Sequence, residues 1–169
     1  MILGVAVLGS FYLFPNHKQQ EESGAPNMAP QTINANTVFK TLDGKQKKIR
    51  DLGNKVIFIN FWASWCGPCL EEMPTIYKLY DKLKDKGLEI LAVSMDEEPV
   101  EGLLVLQKKF GKPKFIVVDG RDSPLPKLFN ISAIPVTAII DKTGHVIYSE
   151  SGTEDWSDPK SINFIEKYL

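Results

Sequence analysis

Short apolar runs alternate with amphipathic segments along the chain after residue 30. Continuous apolar runs that are rich in β-branched residues are typical of buried strands. Four such runs occupy residues 56–61, 88–94, 115–119 and 135–140. Between the first two runs, apolar residues recur at spacings of three and four, which predicts a helix that ends at Gly87. The residues expected on its buried face are Met73, Ile76, Tyr80 and Leu83.

Two further helices are predicted downstream from the same periodicity. One spans residues 99–110 and the other spans residues 159–169, and residues 126–130 predict a single helical turn. The buried face of the first should carry Val100, Leu103, Leu104 and Phe110, and that of the second should carry Ile162, Ile165 and Leu169.

Two turn signals predict β-hairpins. Asp43-Gly44 separates residues 37–42 from 47–49, and the sequence Asp-Lys-Thr-Gly at 141–144 separates the last apolar run from residues 145–149. Strands that alternate with helices imply parallel pairing, whereas a hairpin adds antiparallel strands. The pattern therefore predicts an α/β fold in which a mixed sheet is flanked by helices on both faces, with an extra N-terminal β-hairpin.

The N-terminal part of the chain differs in character. Residues 1–14 carry no charged side chain, and a helix of this length would reach about 21 Å, less than the roughly 30 Å of a bilayer core. We expect residues 1–16 to be a signal anchor or signal peptide, although the first basic residue, Lys18, follows the apolar run. A buried core helix is the alternative. Polar residues 17–30 predict a flexible tether, and residues 31–169 predict one folded domain.

Charge and composition narrow the function classes. The 169 residues are 43% hydrophobic, enough for an ordinary core, and 20 basic against 21 acidic side chains give a net charge of −1. That balance gives no electrostatic argument for binding nucleic acid. A basic cluster at Lys45, Lys47, Lys48 and Arg50 is interpreted as a solvated hairpin edge.

The only two cysteines, Cys66 and Cys69, are three positions apart at the predicted start of a helix. Unpaired N–H groups and the helix dipole favour a thiolate there. Gly67 permits a close turn and Pro68 suits the first helical turn. Residues at this spacing lie close enough to form a disulfide reversibly. The alternatives are a static disulfide, or half of a zinc site completed by two histidines, for which the chain offers His17 and His145.

The segment Phe-Trp-Ala-Ser-Trp-Cys-Gly-Pro-Cys at 61–69 resembles the active site of the thioredoxin superfamily. The following Glu-Glu-Met-Pro at 71–74, together with the tether and the apolar start, resembles the membrane-anchored TlpA/ResA-like thiol–disulfide oxidoreductases. The resemblance covers roughly residues 30–169. It implies a thioredoxin-like fold and a redox-active Cys66–Cys69 disulfide, with no other cofactor and no metal.

The resemblance also implies a substrate-binding rim. It places a cis proline beside the dithiol, which corresponds to Ile134-Pro135 and would orient an incoming peptide next to Cys66. A trans proline that starts an edge strand is the alternative. Trp65 is expected to border the docking surface together with Gly67 and Pro68.

A third catalytic residue is expected at Glu72. Cytoplasmic thioredoxins have a buried aspartate six residues before the first cysteine, where this chain has Asn60, which cannot titrate. The extracytoplasmic branch resembles this chain in having Asn at that position and an acid three residues after the second cysteine. We therefore expect Glu72 to relay the proton of Cys69, and the alternative is a solvated surface glutamate like Glu71.

The predicted function is that of a protein-disulfide reductase outside the cytoplasm, anchored by its N-terminal segment. The resemblance implies a membrane-embedded electron donor and suggests the cysteines of apocytochrome c as a substrate; we expect a monomer. A thiol peroxidase is one alternative, although Ala63 stands where a peroxiredoxin would have threonine. A non-catalytic anchored binding module is the other.

Overall fold

The computed structural model describes residues 30–169. The predicted anchor or signal peptide at 1–16, and all but the last residue of the predicted tether, lie outside the described residues. Within 30–169, no helix has both the length and the apolar character needed to cross a bilayer.

All the predicted strands and helices are present, and the strand Leu88–Ser94 and the helix Pro99–Phe110 have the predicted bounds. Short 3₁₀ turns occur at Ile49–Leu52 and at Lys84–Lys86. The elements of the described chain are β1 (Val38–Lys40), β2 (Gln46–Lys48), β3 (Val56–Trp62), α1 (Gly67–Leu83), β4 (Leu88–Ser94), α2 (Pro99–Phe110), β5 (Ile116–Asp119), α3 (Leu125–Leu128), β6 (Val136–Ile140), β7 (Val146–Ser151) and α4 (Pro159–Glu166).

The strands form the predicted hairpin and a mixed sheet. β1 and β2 pair antiparallel by themselves, and the five-stranded sheet has the order β5-β4-β3-β6-β7. β3 pairs parallel with β4, which pairs parallel with β5, whereas β6 is antiparallel to both β3 and β7. The predicted α/β architecture is therefore confirmed.

The two faces of the sheet are covered differently. Two parallel crossovers run in the same direction across the sheet: β3 to β4 through α1, and β4 to β5 through α2. Because such crossovers are right-handed, both helices lie on one face. There α1 and α4 pack on alternate residues of β3, including Phe58. The other residues of β3, such as Ile57, face a second core with Phe39 of the hairpin and Phe129 beside α3. Helices thus cover both faces, and the hairpin shares the second face with α3.

The buried face of α2 differs from the prediction. Val100 and Leu104 are each 59% exposed, so the prediction that they are buried was wrong. Leu103 and Phe110 do pack against the core. Gly102 is instead on the buried face of α2. A Cβ added there would collide with Asp96 Oδ2, so no larger residue fits at this position. The close approach of α2 to the end of β4 depends on a glycine, which hydrophobic periodicity does not count.

We predict that Gly102→Ala destabilises the protein, because the new methyl group would collide with a carboxylate held by several hydrogen bonds. The expected loss is about 1–3 kcal/mol, in spite of the roughly 1 kcal/mol by which alanine is the better helix former. Denaturant unfolding of the oxidised protein measures it. Leu104→Ala, on the exposed side of the same helix, is the control, and an equal or higher midpoint for Gly102→Ala would contradict the prediction.

Candidate active site

The two cysteines form a disulfide at the start of α1. Their Cα atoms are 5.3 Å apart. Cys66 is the N-cap of the helix, and the backbone N–H of Cys69 donates to Cys66 Sγ at 3.3 Å. When the bond is reduced, the same N–H and the helix dipole favour the thiolate of Cys66.

The zinc alternative finds no support in the described residues. Both cysteine sulfurs are in the disulfide, and His145 lies at a hairpin turn, where it contacts Thr143 and Asp141. His17 is outside the described part. Within residues 30–169, no three His, Cys, Asp or Glu residues lie close enough together to hold a metal ion.

The rim of the disulfide is open to solvent. Trp65 is 70% exposed, and Gly67 and Pro68 are exposed as well. A cleft of about 550 Å³ opens beside Trp65 and is lined in part by Glu97 and Glu101. This cleft therefore lies on the Trp65 side of the loop that precedes the disulfide.

The Ile134–Pro135 peptide bond is cis, so the alternative of a trans proline was wrong. Pro135 is buried directly before β6, and pairing of β6 with β3 brings this bend to the disulfide. The carbonyl oxygen of Ile134 lies 3.9 Å from Cys66 Sγ. The bend therefore borders the reactive sulfur, as the prediction of a substrate-binding role requires; that role stays a prediction.

Glu72 is buried one helical turn after Cys69. It is 2% exposed, whereas its neighbour Glu71 is exposed, so the alternative of a solvated surface glutamate was wrong. Burial raises the pKa of Glu72 from 4.5 to about 7. A hydrogen bond from the Trp156 indole N–H to Glu72 Oε1 opposes this increase in the pKa. The nearby Asn60 amide also opposes it, and Asn60 Nδ2 donates a hydrogen bond to Thr137 Oγ1 as well. A carboxyl group with this pKa can exchange a proton near neutral pH.

Three buried polar side-chain atoms of β3 and α1 have no hydrogen-bond partner among the described residues. They are Glu72 Oε2, Asn60 Oδ1 and Trp62 Nε1. Trp62 itself is fully buried in the core that also contains both cysteines. An unpaired buried polar atom costs about 1–3 kcal/mol, and such atoms are rare in native proteins. All three atoms are on β3 or α1, the two elements that flank the disulfide loop.

Asp96 fixes the loop that carries the disulfide, and the sequence analysis did not identify it. Its carboxylate is buried and accepts hydrogen bonds from Ser64 N at 3.0 Å, Ser64 Oγ at 2.7 Å and Ser94 Oγ at 2.8 Å. The loop between β3 and α1 is thereby attached to the end of β4. An acid two residues after a buried strand was the available signal, but Glu97 and Glu98 follow it directly, so the sequence resembles an exposed acidic run.

Trp156 was also missed. It lies between β7 and α4, is 3% exposed, and contacts Glu72 from 84 positions away in the sequence. No motif links the two residues, so only the three-dimensional structure reveals the contact.

Comparison with known proteins agrees with this geometry. The Redoxin family model matches residues 20–164. Thiol-disulfide oxidoreductase ResA of Geobacillus kaustophilus is 38% identical over 132 residues, which cover 78% of this chain and 71% of that protein. ResA of Bacillus thuringiensis subsp. konkukian is 36% identical over 122 residues, which cover 70% of this chain and 68% of that protein.

A crystal structure of a thioredoxin-family thiol:disulfide interchange protein from Chlorobium tepidum superposes with a TM-score of 0.64. The match covers 82% of this chain and 98% of that one at 22% identity, and it shows the shared fold. Residues 20–164, which the family model matches, include the β3–α1 junction, the two cysteines and the cis-proline bend. The chain therefore belongs to the Redoxin family and, within it, to the ResA-like thiol–disulfide oxidoreductases.

Proposed function

We propose that this oxidoreductase reduces disulfide bonds of proteins outside the cytoplasm. The observation that carries the proposal is the position of Cys66: it caps α1, borders the Ile134–Pro135 bend and lies beside the exposed Trp65. An activated sulfur at an open, peptide-sized rim suits a polypeptide disulfide better than an enclosed small molecule.

The exchange runs in two steps that balance in electrons and protons. The Cys66 thiolate attacks one sulfur of the substrate disulfide, which forms a mixed disulfide and releases the other substrate sulfur as a thiolate. The Cys69 thiol then loses its proton and attacks Cys66 Sγ. This restores the Cys66–Cys69 disulfide and releases the second substrate sulfur. The enzyme dithiol is oxidised and the substrate gains two electrons. Its two thiolates take up two protons from solvent, equal in number to the one that Cys66 lost when it ionised and the one that Cys69 loses in the second step.

In this scheme Glu72 takes up the Cys69 proton. Cys69 is 1% exposed, so its thiol has little access to water, and Glu72 lies one helical turn away on the same helix. Because the pKa of Glu72 is about 7, a substantial fraction of its carboxylate is ionised at neutral pH and can accept a proton. Asn60 cannot supply that function, since an amide does not titrate.

The substrate-binding rim would consist of Trp65, Gly67, Pro68 and the Ile134–Pro135 bend. Three of these are exposed, and the bend places a backbone carbonyl 3.9 Å from the reactive sulfur. A substrate segment lying along this bend would present its disulfide to Cys66.

The place of action follows from the N-terminal segment. The uncharged apolar residues 1–14 support an anchor or signal peptide at 1–16, with residues 17–30 as the tether that separates the domain from the membrane. A reductase in that place needs electrons from a membrane-embedded dithiol donor. The cysteines of apocytochrome c, which must be reduced for haem attachment, are a substrate that fits, and a monomer suffices for the whole cycle.

We predict that Cys69→Ala, expressed in the source cell, accumulates substrates as mixed disulfides with Cys66. The reason is that the second step requires the Cys69 sulfur. Mass spectrometry after acid quenching and alkylation identifies the adducts, and Cys66→Ala is the matched control that should carry none. Recovery of small thiols such as glutathione alone would contradict a dedicated protein substrate.

We predict that Glu72→Gln slows resolution of a preformed mixed disulfide by about 10-fold or more at neutral pH, because general base assistance contributes factors of about 100–10,000. In the wild type the rate should rise with pH through about 7, as Glu72 ionises, and the variant should lose that inflection. Rapid-mixing measurements of substrate release from a preformed mixed disulfide with Cys66 test this. Glu71→Gln, exposed on the same turn, is the control, and an unchanged rate and pH profile for Glu72→Gln would contradict the role.

The same substitution has a predictable effect on stability. Because the pKa of Glu72 is higher in the folded protein than its ordinary value of 4.5, the folded state binds this proton more tightly than the unfolded chain. Folding stability therefore falls as the pH rises from about 4.5 to about 7, and the cost is fully present above that range. Glu72→Gln should flatten this decline in unfolding experiments across the range, whereas Glu71→Gln should leave it unchanged.

A further inference from the structure

We infer that Trp156 is a positioning residue for the exchange reaction: its indole holds the Glu72 carboxylate beside Cys69 and favours the ionised form that accepts the Cys69 proton. This inference rests on the proposed role of Glu72. It assigns to the segment between β7 and α4 a part in chemistry that takes place on α1.

The indole N–H contacts the carboxylate directly. Trp156 is 3% exposed, and its Nε1 donates to Glu72 Oε1. Among the groups that favour the ionised carboxylate, this N–H has the largest effect, ahead of the Asn60 amide and the backbone of Glu154. A hydrogen bond donated to a charged acceptor is stronger than one between neutral groups, and burial strengthens it further.

A second link attaches the Trp156 backbone to the same turn of α1. The N–H of Trp156 donates to Thr75 Oγ1 at 3.1 Å, and the Thr75 hydroxyl donates to the carbonyl oxygen of Glu72 at 2.7 Å. Glu72 is therefore held at its side chain by the indole and at its main chain through Thr75. The two links together leave the carboxylate little freedom to turn away.

Aromatic packing fixes the orientation of the indole. The ring meets Phe58 of β3 edge-on, with centroids 4.7 Å apart and planes at 88°. It meets Tyr148 of β7 in the same way, at 5.5 Å and 85°. Because both neighbours are on sheet strands, the N–H is aimed by the rigid part of the fold rather than by the segment that carries it.

The other groups that face Glu72 either favour its ionised form less than the indole does or disfavour it. The charge of Glu154, in the Trp156 segment, disfavours ionisation of Glu72. On β7, burial raises the pKa of Tyr148 and its hydroxyl stays protonated, but no hydrogen bond joins it to Glu72 in the described residues, and Glu150 nearby is a further acid. On β3 the Asn60 amide does not titrate, and on α1 the reduced Cys69 supplies the proton itself. No lysine or arginine in the described residues forms an ion pair with Glu72.

The test is Trp156→Phe, which removes the N–H donor and keeps a smaller aromatic ring against Phe58 and Tyr148. We expect the pKa of Glu72 to rise by about one to two units above the wild-type value, since hydrogen bonds to charged groups are worth about that much. NMR of ¹³C-labelled glutamate carboxyls in the oxidised protein measures it. The pH profile of mixed-disulfide resolution should move to higher pH by the same amount and keep its plateau.

Tyr148→Phe is the matched control, because it alters the other face of the same aromatic contact without touching the carboxylate; its Glu72 pKa and pH profile should match the wild type. A second measurement needs no change at Trp156. Its indole ¹H–¹⁵N resonance in the wild type should shift with pH around a midpoint of about 7, and Glu72→Gln should abolish that shift.

The outcomes separate the two proposals. An unchanged Glu72 pKa in Trp156→Phe, or an indole resonance that does not follow Glu72, overturns the positioning role. If the pKa of Glu72 rises in Trp156→Phe but the pH profile of mixed-disulfide resolution does not change, the Trp156–Glu72 hydrogen bond is supported. The same result would overturn the proposal that Glu72 accepts the Cys69 proton. A fall to a low, pH-independent rate at an unchanged pKa would also overturn the inference, because it would indicate a structural defect only.

Discussion

The pairing of β3 with β4 on one side and β6 on the other is the constraint on which the active site depends. Trp62 pairs with Ser94 and Phe61 pairs with Val136, so the ends of three strands meet at one edge of the sheet. The disulfide loop follows the first strand and Asp96 follows the second, while the cis-proline bend precedes the third. Because the register is fixed by buried residues on both faces, these segments cannot shift relative to one another without disrupting the core.

On this scaffold the protein holds an acid in a place that disfavours its charge. Glu72 is removed from water, which raises its pKa to about 7, and Trp156 and Asn60 offset only part of that effect. The unpaired Oε2, together with the unpaired atoms of Asn60 and Trp62, has a further cost. A protein selected for stability alone would have filled this region with apolar side chains. The retention of an acid there is consistent with a proton-transfer step that needs a group able to change charge near neutral pH.

Much of the fold was predictable from the sequence, because the strands are continuous apolar runs and the turns contain Asp-Gly or a related signal. The disulfide and the cis-proline bend were predictable from short motifs. The sequence did not predict the contacts between residues that are far apart in the chain. The exposure of Val100 and Leu104 follows from the approach of Gly102 to Asp96, and a glycine has no weight in a hydrophobic pattern. The Trp156–Glu72 contact joins residues whose neighbours in the sequence give no hint of a shared site.

The position of Trp156 late in the chain has a consequence for biosynthesis. Synthesis runs from the N-terminus, so Cys66 and Cys69 emerge from the ribosome well before the segment that reaches Glu72. A nascent chain can therefore expose its two thiols while Glu72 is still without its indole partner. In the proposed scheme the attack by Cys66 needs neither residue, whereas the step in which Cys69 resolves the mixed disulfide depends on both. That step would reach its full rate only after β7 has joined the sheet and the following segment has docked on α1.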